Sequence, residues 1–211
     1  MMTPVQYNIA NKAIVDAFER LPENQQSGTY WNDDAINSVR AEIKDHYIAE
    51  QKYQCVYCQR QIASANKALW DAEHIICREK APRFMFTPKN LAVSCRDCNI
   101  AKGQKEVRTT TRKKFPDKSE HYIIIHPHFD IYNKHIRWIG DICVPMSDKG
   151  VATQETCDLT RFTAKLLGVD GILISPAFDK FVGNLLTAKN RIDAQAAIAA
   201  ISVFVENIPQ K

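Results

Sequence analysis

Cys55-Val56-Tyr57-Cys58, Glu73-His74, Asn90, Cys95-Arg96-Asp97-Cys98-Asn99 and Lys102-Gly103 follow one another within a single stretch of the chain. Two Cys-x-x-Cys knuckles are a strong zinc signal, because each grips a tetrahedral ion from two sides of a tight turn. Cys55, Cys58, Cys95 and Cys98 are therefore expected to hold one structural Zn²⁺. The gap from Cys58 to Cys95 is longer than an ordinary four-cysteine ribbon requires, and the insert carries Glu73, His74 and Asn90. Asn99 directly follows the last cysteine, so whatever fixes the metal fixes Asn99 as well.

The local patterns give a coarse structure. Tyr53 to Gln61 reads as a tight hairpin around the first knuckle. Leu69, Trp70, Ala72 and Ile75 suggest a strand with Asp71 and Glu73 on its other face. Asn90 to Ser94 leads back into the second knuckle, and a helix is expected from Arg96 that carries Asn99 inward. Each residue taken singly has a plain reading. A lone Glu-His is commonly a surface pair, a lone Asn a turn residue, and a four-cysteine site a purely structural staple. Their joint order is what carries information.

That order resembles the HNH (His-Me finger, ββα-metal) endonuclease family. The resemblance covers about a quarter of the chain. It rests on Glu73-His74, Asn90 and Asn99 as an H-N-N set, on the paired knuckles, and on Cys98-Asn99 followed by Lys102-Gly103. It implies that His74 is the general base, that Glu73 and Asn99 hold a catalytic Mg²⁺ or Mn²⁺, and that Asn90 pins the loop facing His74. Glu73 departs from the commoner Asp. The stretch His126-Pro127-His128-Phe129-Asp130 with His135-Ile136 further resembles the HNH nucleases of Septu-type and retron-associated anti-phage defence systems, which favour Glu-His. Those nucleases act with an ATPase, so the resemblance implies an ATPase partner. They usually continue with Pro-Lys after the histidine region, where this chain has Cys77-Arg78-Glu79-Lys80.

The chemistry fits those residue types. A phosphodiester is anionic, so hydrolysis needs a base for the water and a cation for the developing charge. A neutral imidazole supplies the first, and hard oxygen ligands suit the second. Beyond the helix runs a basic segment with Lys102, Lys105, Arg108, Arg112, Lys113 and Lys114 against few acids, and these are candidate phosphate contacts. Thr109, Thr110 and Thr111 could add hydroxyl contacts. A solvated face is the plain alternative. No base-reading motif is visible.

The chain as a whole is ordinary for a globular protein: 211 residues, 45% hydrophobic, 25% charged and a net charge of +4. The mild positive charge permits a nucleic-acid partner without demanding one. Seven cysteines, four in metal spacing, suit a reducing cytoplasm better than a disulfide framework. Neither a signal peptide nor a bilayer-spanning apolar run is read. Ile14, Val15, Phe18 and Leu21 mark a first helix; Ile36, Val39, Ile43 and Tyr47 mark a second, with Asn32 as its expected cap. Tyr122–Ile125, His135–Ile139 and Ile142–Pro145 read as strands, with His126, His128 and His135 in structural use rather than as a second metal site. The tail reads as helical, with stripes at Leu159, Phe162 and Leu166 up to a terminating Gly168, at Phe178, Phe181, Val182 and Leu185, and at Ile198, Ile201, Val205 and Ile208 before Pro209.

The expected fold is thus α+β: a helical segment 1–52, a zinc-braced HNH unit 53–118, and a β-hairpin and helical region 119–211. The expected function is metal-dependent cleavage of DNA. An RNA-cleaving or stand-alone restriction nuclease, and a zinc-stapled module that binds nucleic acid without cutting, stay open at this point. The N-terminal helices and the last helix are both candidates for docking the partner.

Overall fold

The computed structural model describes residues 2–62, 64, 66–167 and 175–207. Helices and two small antiparallel sheets make an α+β chain, divided into two units, Met1–Asp130 and Ile131–Lys211. The division falls at Asp130, beyond the boundary at 118 expected from sequence. It also joins the N-terminal helices to the zinc-knuckle region. The reason lies in where the apolar stripes go.

In the first unit, α1 (Ile9–Glu19) starts at Asn8, whose side chain accepts from the Asn11 backbone N–H. α2 (Asn37–Glu50) buries Val39, Ile43 and Tyr47 on one face. Asn32 is not its cap: it closes a 3₁₀ turn at Gly28–Asn32, and Asp33 caps a further short turn before α2 begins. β1 (Trp70–His74) and β2 (Leu91–Cys95) form an antiparallel pair, with Trp70 opposite Cys95 and His74 opposite Leu91. α3 (Arg96–Lys102) follows β2 directly. Val15, Phe18, Val39, Ile43, Tyr47, Trp70, Phe86, Leu91 and Val93 belong to one buried cluster, so α1 and α2 are the core on which the hairpin is built. Ile43 is wholly buried, so the apolar stripe of the second helix belongs to the core.

The amide of Gln51, just past α2, donates to the Val93 carbonyl and accepts from the Val93 N–H, both at 2.8 Å. It thereby gives the Val93 N–H its partner at the edge of β2 and shares the Val93 carbonyl with the Val56 N–H. Tyr122–Ile125 does not form the expected strand; a single bridge links Tyr122 to Arg108. Tyr122 and Ile124 are buried with the exposed Ile123 between them, and among the described residues backbone hydrogen bonds join the segment to 107–109 only at Ile123 to Val107 and Thr109 to His121.

In the second unit, β3 (Ile136–Ile139) and β4 (Ile142–Pro145) form the expected hairpin, and α4 (Asp148–Thr156), α5 (Thr160–Leu167), α6 (Pro176–Leu186) and α7 (Arg191–Glu206) follow. α4 was not marked by an apolar stripe. Its Gly150 sits where an added Cβ would lie 2.0 Å from the His135 carbonyl oxygen, so the close approach of helix to hairpin requires glycine. Gly168, Ile208 and Pro209 lie outside the described residues. No helix among the described residues is long and apolar enough to cross a membrane.

Candidate active site and metal centre

The first knuckle is built by a reversing chain: Gln54 bridges Gln61, the Cys55 N–H donates to the Arg60 carbonyl, and Gln59 takes a positive φ of 55°. The Val56 N–H donates to the Val93 carbonyl and ties this hairpin to β2. The sulfur atoms of Cys55, Cys58, Cys95 and Cys98 all lie within 4.8 Å of one another. Four thiols this close cannot all ionise unless a cation sits among them, and the donor set is that of a closed tetrahedral zinc site. Among the described residues this is the one cluster of three or more His, Cys, Asp or Glu ligand atoms suited to a metal.

Glu73 and His74 end β1. His74 is 5% exposed, with its ring edge-on to Trp31 at 4.4 Å between centroids. Burial, then the nearby charges of Arg78 and Lys102, push its pKa down to about 3 against a backbone hydrogen bond at Met85, so the imidazole is neutral at pH 7. Its Nε2 is buried with no hydrogen-bond partner among the described residues.

Glu73 is 1% exposed. Its Oε1 accepts from the Tyr57 hydroxyl at 2.9 Å and pairs with Lys102 Nζ at 2.7 Å. Oε2 has no partner among the described residues. Lys102 Nζ also donates to the His74 carbonyl at 2.9 Å. One buried ammonium thus clamps both residues that end β1. This corrects the expectation for Lys102, which is 2% exposed and cannot be a surface phosphate contact. At the last turn of α3, Lys102 supplies the counter-charge to the buried Glu73.

Asn90 is fully buried and spends its whole side chain on backbone. Oδ1 accepts from the Ile76 N–H at 2.8 Å, and Nδ2 donates to the carbonyls of Ile76 and Phe84 at 3.1 and 3.0 Å. It crosslinks the segment after His74 to the loop before β2. Asn99, on α3, donates from Nδ2 to Asp71 Oδ2 at 2.9 Å, while its Oδ1 has no partner among the described residues. Glu73, His74, Asn99 and Lys102 line one cavity of about 230 Å³ together with Arg78 and Glu79. Two oxygens without partners on cavity-lining residues, Glu73 Oε2 and Asn99 Oδ1, fit a hard divalent cation.

Arg78, Tyr57 and Asp71 are the site residues that sequence reasoning missed. Arg78 was legible only as a departure from Pro-Lys, Tyr57 was hidden within the first knuckle, and Asp71 was placed on the same face as Glu73 but given no role. Arg78 Nε donates to the Gly28 carbonyl at 3.1 Å, so the turn after α1 steadies the rim of the cavity.

The basic segment divides. Lys105, Arg112, Lys113 and Lys114 are exposed. Arg108 is not: it is 6% exposed and forms a two-point pair with Glu106 at 2.8 Å, which takes it out of the phosphate-contact set. Arg83 donates to the carbonyls of Arg112 and Lys113, holding that loop to the 3₁₀ turn after the site. His126, His128 and His135 belong to no metal-suited cluster among the described residues. His128 Nε2 lies 2.9 Å from the Leu91 carbonyl, His126 stacks on Phe129 at 4.3 Å, and His135 Nδ1 lies 2.7 Å from Ser147 Oγ.

The chain matches no protein-family model. It is 26% identical over 156 residues to the Septu protein PtuB of Bacillus thuringiensis, a match that covers 73% of this chain and 52% of that protein. The chain therefore spans about half the length of the curated relative it matches.

Proposed function

We propose that this chain is an HNH-type, metal-dependent endonuclease that hydrolyses phosphodiester bonds of DNA, serves an anti-phage defence system, and works with an ATPase partner. The observation that carries the reading is the neutral, buried His74 at a strand end, beside two ligand oxygens without partners and on a frame set by four clustered cysteines. The likeness to a Septu protein supports the biological setting. The cysteines would hold Zn²⁺ as a staple with no part in the reaction, since four thiolates fill its coordination shell.

Glu73 and Asn99 would hold Mg²⁺ or Mn²⁺, which when bound supplies charge stabilisation to the transferring phosphate. His74 takes the proton of the attacking water as its oxygen bonds to phosphorus. The bond from phosphorus to the leaving 3′ oxygen breaks, and solvent protonates that oxygen. Arg78, on the cavity wall, offers its guanidinium to the phosphate. Burial is the main cause of the low His74 pKa, and the same anion offsets the smaller contribution of Arg78 and Lys102. Exposed Lys105, Arg112, Lys113 and Lys114 hold the backbone on either side without reading sequence. Val203 and Val205 on α7 are 57% and 48% exposed, and give the partner an apolar surface.

The test is Mg²⁺-dependent nicking of supercoiled plasmid, by the chain alone and with the product of a neighbouring ATPase gene. His74→Ala is expected to lose ~100-fold or more in rate while zinc content and circular dichroism stay at parental values. Cleavage by His74→Ala at the parental rate would remove the catalytic assignment and leave a zinc-stapled binding module. Cleavage of RNA alone would move the substrate class.

A further inference from the structure

Asp71 stands two residues before Glu73 on β1 and pairs with Ser94, so the register brings it beside the start of α3. Its side chain has one hydrogen-bond partner among the described residues, Nδ2 of Asn99, at 2.9 Å. An ionised carboxylate only accepts, whereas an amide donates from one end and accepts at the other. Asp71 therefore allows one orientation of the Asn99 amide, with nitrogen toward Asp71 and oxygen away from it. That oxygen has no partner among the described residues, and Asn99 lines the cavity with Glu73.

Resting on the reading of Asn99 and Glu73 as cation ligands, we propose that Asp71 is a positioning residue that holds the Asn99 amide oxygen toward the cation. The cysteine cluster sets where the Asn99 backbone lies, because Cys98 precedes it. It does not set which end of the amide faces the cavity, and a half-turn of the side chain would present an N–H pair that repels a cation. Asp71 removes that second state. Glu73 is held in a matching way: Lys102 and Tyr57 both occupy Oε1 and leave Oε2 for the ion. Each ligand is thus gripped at one atom by a group of complementary chemistry and offers the other.

Mn²⁺ binding to the zinc-loaded full chain without nucleic acid, read by electron paramagnetic resonance, tests this apart from turnover. Asp71→Asn is nearly isosteric, but an asparagine there can donate as well as accept, so Asn99 is free to turn. It should weaken Mn²⁺ binding about tenfold, as loss of an outer-shell partner does. Removing a negative charge near the ion would also weaken binding, so the cycle is completed in an Asn99→Asp background. A carboxylate at 99 has no wrong end. There Asp71→Asn should cost less than about twofold, or improve binding by relieving repulsion between the two acids. Equal losses in both backgrounds would reduce Asp71 to a distant charge and overturn the proposal, as would no loss in the parent background. A parent that binds no Mn²⁺ would overturn the cation-ligand reading itself, and the role of Asp71 with it. Should Asp71→Asn lose its zinc, Asp71→Ser in both backgrounds gives the same comparison.

Discussion

A single lysine separates two accounts of the helix that follows the second knuckle. From composition, Lys102 opens a basic run and belongs to the surface. In the fold it is among the most buried side chains in the chain, 2.7 Å from a carboxylate that is equally buried. Such a pair contributes little net stability, because desolvating both ions offsets their attraction, yet breaking it from one side is costly. Lys102→Met should therefore destabilise the zinc-loaded chain by about 3–5 kcal/mol in denaturant unfolding. Combining it with Glu73→Gln should restore most of that loss, since no uncompensated charge remains. A double variant as unstable as Lys102→Met alone would mean the lysine acts through packing of its stem. The salt dependence of nucleic-acid binding should not move, whereas neutralising Arg112, Lys113 and Lys114 together should flatten it and weaken binding to all sequences alike. An unchanged slope for that triple variant would assign the exposed run to a solvated face. Burial, which no residue count reports, is what sorts these cations.

Among the elements, those read from spacing were the ones with local causes. The knuckles, the strand over Leu69 to Ile75 and the start of α3 at Arg96 all follow from metal spacing, alternation and the cysteine turn. The C-terminal helices followed from 3.6-residue stripes. What sequence left unread depends on contacts far along the chain. α4 has no strong stripe, and its close approach to the His135 carbonyl requires Gly150. Tyr122–Ile125 has strand composition but meets no neighbouring strand among the described residues, and it pairs only once, with Arg108. The grip of Asp71 on Asn99 depends on a register that no single-residue signal states. The cysteine frame joins these elements, and Tyr57 within the first knuckle even touches Glu73. Cys58→Ser should accordingly lose zinc and unfold the β1–β2 hairpin, because metal binding and folding are one event in so small a sheet. Metal analysis that finds no zinc in the folded parent, or full ordering of the variant without zinc, would detach the frame from the fold.

At the scale of the whole chain, each of the two units carries a buried titratable group whose protonation its own packing controls, His74 and Asp179, and these two have opposite signs. In the first, His74 is held neutral, with its pKa pushed from the usual 6.5 to about 3 by burial, Arg78 and Lys102. The unfolded chain binds the extra proton between those values, so the stability His74 contributes is complete above pH 6.5 and is lost as pH falls toward 3. In the second, Asp179 on α6 is fully buried, and burial raises its pKa from 3.8 to about 7 against hydrogen bonds from Thr163 and Gln154. There the folded form binds the extra proton, so its contribution is complete below 3.8 and is lost as pH rises toward 7. Relative to the parent, His74→Gln should gain stability as pH is lowered from 6.5, and Asp179→Asn should gain as pH is raised from 4. Zinc release in acid affects parent and variant alike and cancels in each difference. Chemical unfolding at half-unit steps from pH 4 to 7, without added Mg²⁺, gives both curves. Parallel slopes, or a flat difference for Asp179→Asn, would show that packing does not hold these groups in the protonation states their surroundings favour.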